Sequence, residues 1–438
     1  MARLMAAAAV TLAGAATAGK AEEPATAAQP APIDGRAVEE EARRAIRENY
    51  VVTDKLEAVD AILAKGVATG RYEVADPRQL AERINADLMS AANDKHLSIQ
   101  FDPVRASMLK GPIGDEVAEG PQWERMAQLR NHGFTEMRVL DGNVRYANLE
   151  GFVWTGEKSA AAFDTAMNFL KEGDAAIIDL RYNGGGSPKA IQYLISHFVE
   201  PGTPLTTFYM GGGKAPDRQV ALTKLPAGRM VGKPLYVLTS RISISAAEDF
   251  AGHVGGYRLG EIVGETTAGA AYRNSFFPIR GQFMLSVSVG KAVLASTGGN
   301  WEGTGIKPTI TTDAHSALDA AHLHALRKLA AAAPPPEKSR MEAMATVLAA
   351  RLEPKSPDLP LAAYAGAFGD RTISLEGGVL HSQRAGGPKA KLLSLGANLF
   401  VIEADLGTRL EFAVADGGAA SLDVIRGDGR RMTQARTK

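Results

Sequence analysis

Apolar positions follow a helical period at the front of the chain, gather into short runs in the middle and fall into hairpin-spaced strands at the end. Val38, Ala42, Ala45 and Ile46 share one helical stripe, and Leu56, Val59, Ile62 and Leu63 share another. Leu80, Ile84 and Leu88 recur every four residues, and Asp76 before Pro77 is a cap-then-first-turn signal. Residues 34–92 are therefore expected to form a helical bundle. His96–Phe101 alternates, with Leu97, Ile99 and Phe101 on one face, which predicts a half-buried strand. Phe134–Phe152 holds two strand-like runs around Asp141-Gly142, a hairpin turn signal.

Further along, residues 158–171 carry a helical stripe, and Ala175–Leu180 is a short buried strand. Asn183-Gly184-Gly185-Gly186 follows it, and Ser187-Pro188 opens a helix. Leu235–Leu238 is a second buried strand, with an apolar-faced helix over Ile244–Val254. Strand–helix–strand–helix order predicts an α/β core over 93–325 with crossover connections. Residues 326–359 read as a helical linker interrupted at Pro334-Pro335-Pro336. Residues 360–438 carry hairpin and short-strand patterns, including Ile373–Val379, Leu399–Ile402, Leu410–Val414 and Leu422–Ile425, and predict a small C-terminal β module.

Composition narrows the function classes. Lys+Arg and Asp+Glu both number 49, so the formal net charge is zero, which argues against nucleic acid or an anionic membrane as partner. There is no cysteine, which excludes disulfides, a thiolate nucleophile and a Cys-ligated zinc. The eight histidines form no HExxH pattern, so neither a metal nor a cofactor is expected. Arg3, the uncharged run Leu4–Ala18 and the small-x-small end Ala16-Thr17-Ala18 read as a signal peptide over 1–18. An Ala/Pro-rich disordered leader over 19–33 follows, and no later run is long enough for a membrane span. A periplasmic or secreted mature chain is expected.

Four features could carry chemistry. Ser245 stands at a strand–turn–helix junction, where it is either an N-cap or a nucleophile served by the helix's free N–H groups. Gly184–Gly186 is either a tight turn or a loop whose N–H groups meet a ligand, and it fits neither phosphate-loop spacing. His96 begins a strand and is either structural or a base. Glu302 is the one carboxylate in the Gly-rich loop Asn300–Pro308. Together they make up the set that acyl transfer needs.

The runs D-L-R-Y-N-G-G-G (179–186), T-S-R-I-S-I-S-A-A-E (239–248), G-E-T-T-A-G-A (264–270) and W-E-G-T-G-I-K-P (301–308) resemble the C-terminal processing peptidase family. The resemblance is to the branch with the tricorn core protease and the interphotoreceptor retinoid-binding protein modules. With D-K-H-L (94–97) and the front helices, it spans roughly residues 34–325. It implies a core of the crotonase-like (ClpP/crotonase) type and a serine endopeptidase acting on peptides or unfolded proteins. Ser245 takes the nucleophile's position. The Lys-type members' general base falls at Ala270, so the Ser–Lys dyad is absent. The tricorn-like branch uses instead a His and a Glu, matched here by His96 and Glu302. Ala246 and one of Gly185 or Gly186 match the oxyanion donors. Lys95 replaces a serine of the tricorn-type site and is expected to point into solvent. The hairpin and helix after His96 take up most of the space where tail-specific members carry a PDZ domain, so none is expected. The competing reading is a non-catalytic binder of an apolar ligand or peptide on the same scaffold. An esterase or β-lactamase-like hydrolase is disfavoured because neither GxSxG nor a fitting SxxK occurs.

Overall fold

The computed structural model describes residues 33–109, 120–427 and 429–437. The expected signal peptide, and all of the leader except Ile33, lie outside the described residues. Three helices lead: α1 (Gly35–Asn49), α2 (Leu56–Ala68) and α3 (Pro77–Ala92). The Asp34 carboxylate accepts from Ala37 N–H to cap α1, and Asp76 caps α3 with Pro77 in its first turn. Strand β1 (Ser98–Phe101), the short helices α4 (Pro103–Met108) and α5 (Pro121–Leu129), and the hairpin β2 (Phe134–Leu140)–β3 (Val144–Leu149) follow.

The core then alternates: α6 (Glu157–Lys171), β4 (Ala175–Asp179), α7 (Pro188–Ile195), β5 (Pro204–Met210), β6 (Asp217–Val220), β7 (Leu235–Thr239), α8 (Ala246–Gly256) and β8 (Glu261–Gly264). It ends with β9 (Tyr272–Ile279), β10 (Phe283–Leu294), β11 (Ile310–Thr311), α9 (Ala317–Ala332) and α10 (Pro335–Leu352).

Two sheets result. The first runs β11-β8-β7-β4-β3-β2 and is parallel except for the β2–β3 hairpin. Every residue of β4 and β7 is buried, because helices cover both faces. Ala176, Ile178, Leu235 and Val237 face α6, α7 and α8, while Ala175, Ile177, Tyr236 and Leu238 meet Ala317, Ala321 and Ala325 of α9. The second sheet is antiparallel and centres on β10, with β9 along one edge and β1 then β5 along the other. Its Leu97, Ile99, Phe277, Leu285 and Val287 pack on the α1–α3 bundle. The opposite face carries Ser98, Ser286 and Asn274 and turns toward the first sheet's loops.

The C-terminal module is a closed eight-stranded barrel, β12 (Gly366–Phe368) through β19 (Arg431–Thr437). Closure leaves no sheet edge open. Tyr364, Phe368, Phe400 and Phe412 fill it edge-to-face. Val347 and Ala350 of α10 seat it through Leu395 and Val401.

Candidate active site

Ser245 sits where β7 runs through a short turn into α8. Its φ of +59° and ψ of −115° are strained for a residue with a Cβ. The turn is stitched from below. Ser243 Oγ donates to Leu180 O at 2.7 Å and accepts from Ser240 N–H at 2.9 Å, while Ser240 Oγ donates to Arg181 O. Ala246 opens a helix whose residues 246–254 are all buried. Ala247 N–H donates to Ile244 O, and the N–H groups of Glu248 and Asp249 both donate to Ser245 O. Ala246 N–H, as the first in the helix, has no intrahelical acceptor.

The glycine loop presses against this turn. A Cβ on Gly185 would lie 2.9 Å from Ser245 Cβ, so only glycine lets the two segments approach. The wholly buried Asn183 fixes the loop: its Nδ2 donates to Leu149 O, its Oδ1 accepts from Gly185 N–H, each at 2.8 Å, and its carbonyl accepts from Ile244 N–H. Gly185 N–H is thus engaged and unavailable as an oxyanion donor, which narrows the expected pair to Gly186. An isolated parallel bridge joins Phe152 to Gly186, using Gly185 O and Ser187 N–H. Gly186's own N–H stays outside that bridge, and the residue lines the Ser245 pocket.

His96 precedes β1, and its 9% exposure leaves it nearly buried. Alternation along β1 places it on the Ser98–Ser286 face, which also carries Asn274, a lining residue of the Ser245 pocket. Its backbone is pinned on both sides, with N–H donating to Asp94 Oδ1 at 2.8 Å and C=O accepting from Ser286 Oγ. Burial pushes the imidazole below the ordinary histidine range; Asp94 opposes the shift and Lys95 adds to it. The ring's Nδ1 is buried without a hydrogen-bond partner. Lys95 is exposed, as expected, yet its ammonium is tethered. Its ammonium donates to Ala268 O in the loop behind Ser245, because the carbonyl of this tight loop offers it an acceptor.

Glu302 does not orient His96 through a hydrogen bond. Its Oε2 accepts from Ala271 N–H at 2.6 Å, and burial raises its carboxyl above the usual range despite that bond. Trp301 beside it donates to Ala270 O at 3.1 Å. Among the described residues no hydrogen bond links Ser245, His96 and Glu302.

The strongest polar junction belongs to Glu248, to which the residue pattern assigned no role. Its buried carboxylate takes four donors: Thr267 Oγ–H and Gly269 N–H at 2.6 Å, and Ala270 N–H and Ser245 N–H at 2.9 Å. Burial raises its pKa while the four bonds lower it. The Ser-x-x-Glu spacing of a capping box carried this signal. Ala270, at the Lys-type base position, is wholly buried and lines the pocket.

A model described as peptidase family S41 matches residues 142–312, and one described as the N-terminal domain of that peptidase in eukaryotic interphotoreceptor retinoid-binding protein matches residues 35–127. The two together span more than half of the chain. The chain belongs to peptidase family S41. It is 27% identical over 179 residues to the carboxy-terminal processing protease CtpB of Bacillus subtilis (strain 168), an alignment covering 40% of this chain and 35% of that protein. The chain thus spans about a third of the length of that curated relative. Among solved structures, a lipoprotein from Streptococcus agalactiae aligns at TM-score 0.46 and 14% identity, covering 66% of this chain and 95% of the other. The photosystem II D1 C-terminal processing protease aligns at TM-score 0.40 and 16% identity, covering 65% and 94%.

Proposed function

We propose that this S41 chain is an exported serine endopeptidase that hydrolyses peptide bonds without a Ser–Lys dyad. The observation that carries the reading is the strained Ser245 at the head of α8, beside the uncommitted N–H of Ala246 and the Gly186 lining of one pocket. Ser245 Oγ attacks the scissile carbonyl carbon and gives its proton to the neutral His96 imidazole. The carbonyl oxygen gains the negative charge and lies against Ala246 and Gly186 N–H, each such donor being worth about 3 kcal/mol in the transition state. Collapse breaks the C–N bond, and the leaving amine takes the proton from His96. Water then cleaves the acyl-enzyme by the same path. Glu302 holds the 270–271 backbone and adds negative potential beside Asp94 and Lys95.

The core is read as crotonase-like, and residues 1–18 as a signal peptide that sends the protein to the periplasm or beyond. The substrate is a peptide or unfolded protein. The unlinked Ser245, His96 and Glu302 favour the second reading, a peptide-binding protein on the same scaffold. Hydrolysis of casein or a peptide library by wild type, lost in folded Ser245→Ala and His96→Ala, supports the peptidase. Inert, well-folded wild type that retains bound peptide supports the binder.

A further inference from the structure

The pocket that opens at Ser245 has a carboxylate in its wall. Asp249 lies one helical turn along α8 from Ser245 and lines the same pocket. It is 3% exposed. Its Oδ1 accepts from Thr206 Oγ–H at 2.6 Å and lies 3.2 Å from His253 Nε2, and Thr206 Oγ lies 3.0 Å from the same nitrogen. Thr206 and His253 are buried, and His253 Nδ1 has no hydrogen-bond partner. The Asp249 carboxylate accepts one hydrogen bond at Oδ1, from Thr206, and, among the described residues, none at Oδ2. The cation in the same lining, Arg273, is held 2.8 Å from Asp217. The rest of the wall is mixed: Pro188, Ile191, Phe208, Ala292 and Trp301 are apolar, while Tyr272 and Asn274 are polar. The pocket has a volume of about 30 Å³, room for a water or two.

We infer that this is the side-chain pocket for the residue on the N-terminal side of the cleaved bond, and that Asp249 sets its preference for small, hydroxyl-bearing side chains. The inference rests on the serine peptidase reading. A carbonyl seated against Ala246 and Gly186 N–H puts the adjoining side chain into the space between α8, α7 and the second sheet. The volume suits a short side chain such as that of serine or threonine. A carboxylate oxygen accepts a hydroxyl proton, leaves an alanine methyl unmatched, and repels an acidic side chain. A site built to hydrogen-bond one group discriminates strongly against analogues that lack it or carry the opposite charge.

The test is a series of quenched-fluorescent peptides identical except at that residue (Ser, Thr, Ala, Leu, Lys or Asp), run beside peptidyl phosphonates carrying the Ser- and Leu-type side chains. Wild type is expected to favour Ser and Thr over Ala and Leu by at least about tenfold in kcat/KM, and over Asp by at least about a hundredfold. Asp249→Asn, which keeps an acceptor for Thr206, is expected to abolish the penalty on Asp while leaving cleavage of the Ala peptide measurable. Asp249→Ala is expected to move the preference toward Leu. A labelled, active wild type with a flat series, or with Leu foremost, overturns the assignment while leaving the peptidase intact. So does an Asp249→Asn variant with the wild-type ranking. Wild type that neither cleaves nor labels removes the peptidase reading, and this one with it.

Discussion

Replacing Glu248 by glutamine should disconnect the proposed nucleophile from the loop that supports it. The carboxylate accepts from Thr267, Gly269, Ala270 and Ser245. Glutamine offers one acceptor oxygen. Placed toward Thr267 and Gly269, it turns an NH₂ at the N–H groups of Ala270 and Ser245, and two buried donors lose their acceptor. At about 1–3 kcal/mol each, the loss is about 2–6 kcal/mol. Burial already opposes the charge on Glu248, so removing that charge returns part of the loss, and a net of about 2–4 kcal/mol is expected. At about 2–4 °C per kcal/mol, Tm falls by about 5–15 °C. Ser245 also loses the bond that holds its strained φ, and a displacement near 1 Å costs about a hundredfold in rate. Calorimetry and kcat/KM on folded Glu248→Gln, with Glu248→Asp as a companion that keeps the charge, measure both effects. Unchanged Tm with unchanged kcat/KM would refute the reasoning.

Other outcomes follow from the same geometry. In the proposed mechanism His96 is a neutral base and burial lowers its pKa, so the acid limb of kcat/KM should lie below the ordinary histidine value of about 6.5; a limb above it contradicts the assignment. Lys95 contributes to that lowering, so Lys95→Met should move the limb to higher pH in a stopped-time pH profile. Gly186→Ala puts a Cβ 2.3 Å from Phe152 O at a φ of +137°, and should cost more than about 2 kcal/mol in denaturant unfolding and displace the N–H proposed as an oxyanion donor; wild-type stability would show the loop to be softer than drawn.

Much of the first sheet was legible because both of its faces are buried. Strands such as Ala175–Asp179 and Leu235–Thr239 are continuous apolar runs, and the helices between them carry clear stripes. Of the second sheet only the strand at His96–Phe101 was read. In β10, Ser286 and Ser288 alternate with Leu285 and Val287, because one face packs on the bundle and the other carries polar side chains toward the site. Its strands come from distant parts of the chain, and that pairing is a tertiary fact. The barrel's closure was likewise hidden: individual hairpins are local, whereas β12 meets β19 across the module's full length. At the site, Ser245, Gly186 and Ala246 could be placed by motif. The Asn183 bond that removes Gly185 as a donor, the Lys95–Ala268 contact and the fourfold role of Glu248 depend on which backbone groups the loops turn inward.

The most direct test of the central claim is labelling of the intact protein with a fluorophosphonate, followed by peptide mapping by mass spectrometry. One adduct on Ser245, absent from folded Ser245→Ala and slowed in His96→Ala, is the predicted result. An adduct on another serine, or no adduct on well-folded wild type, would contradict it.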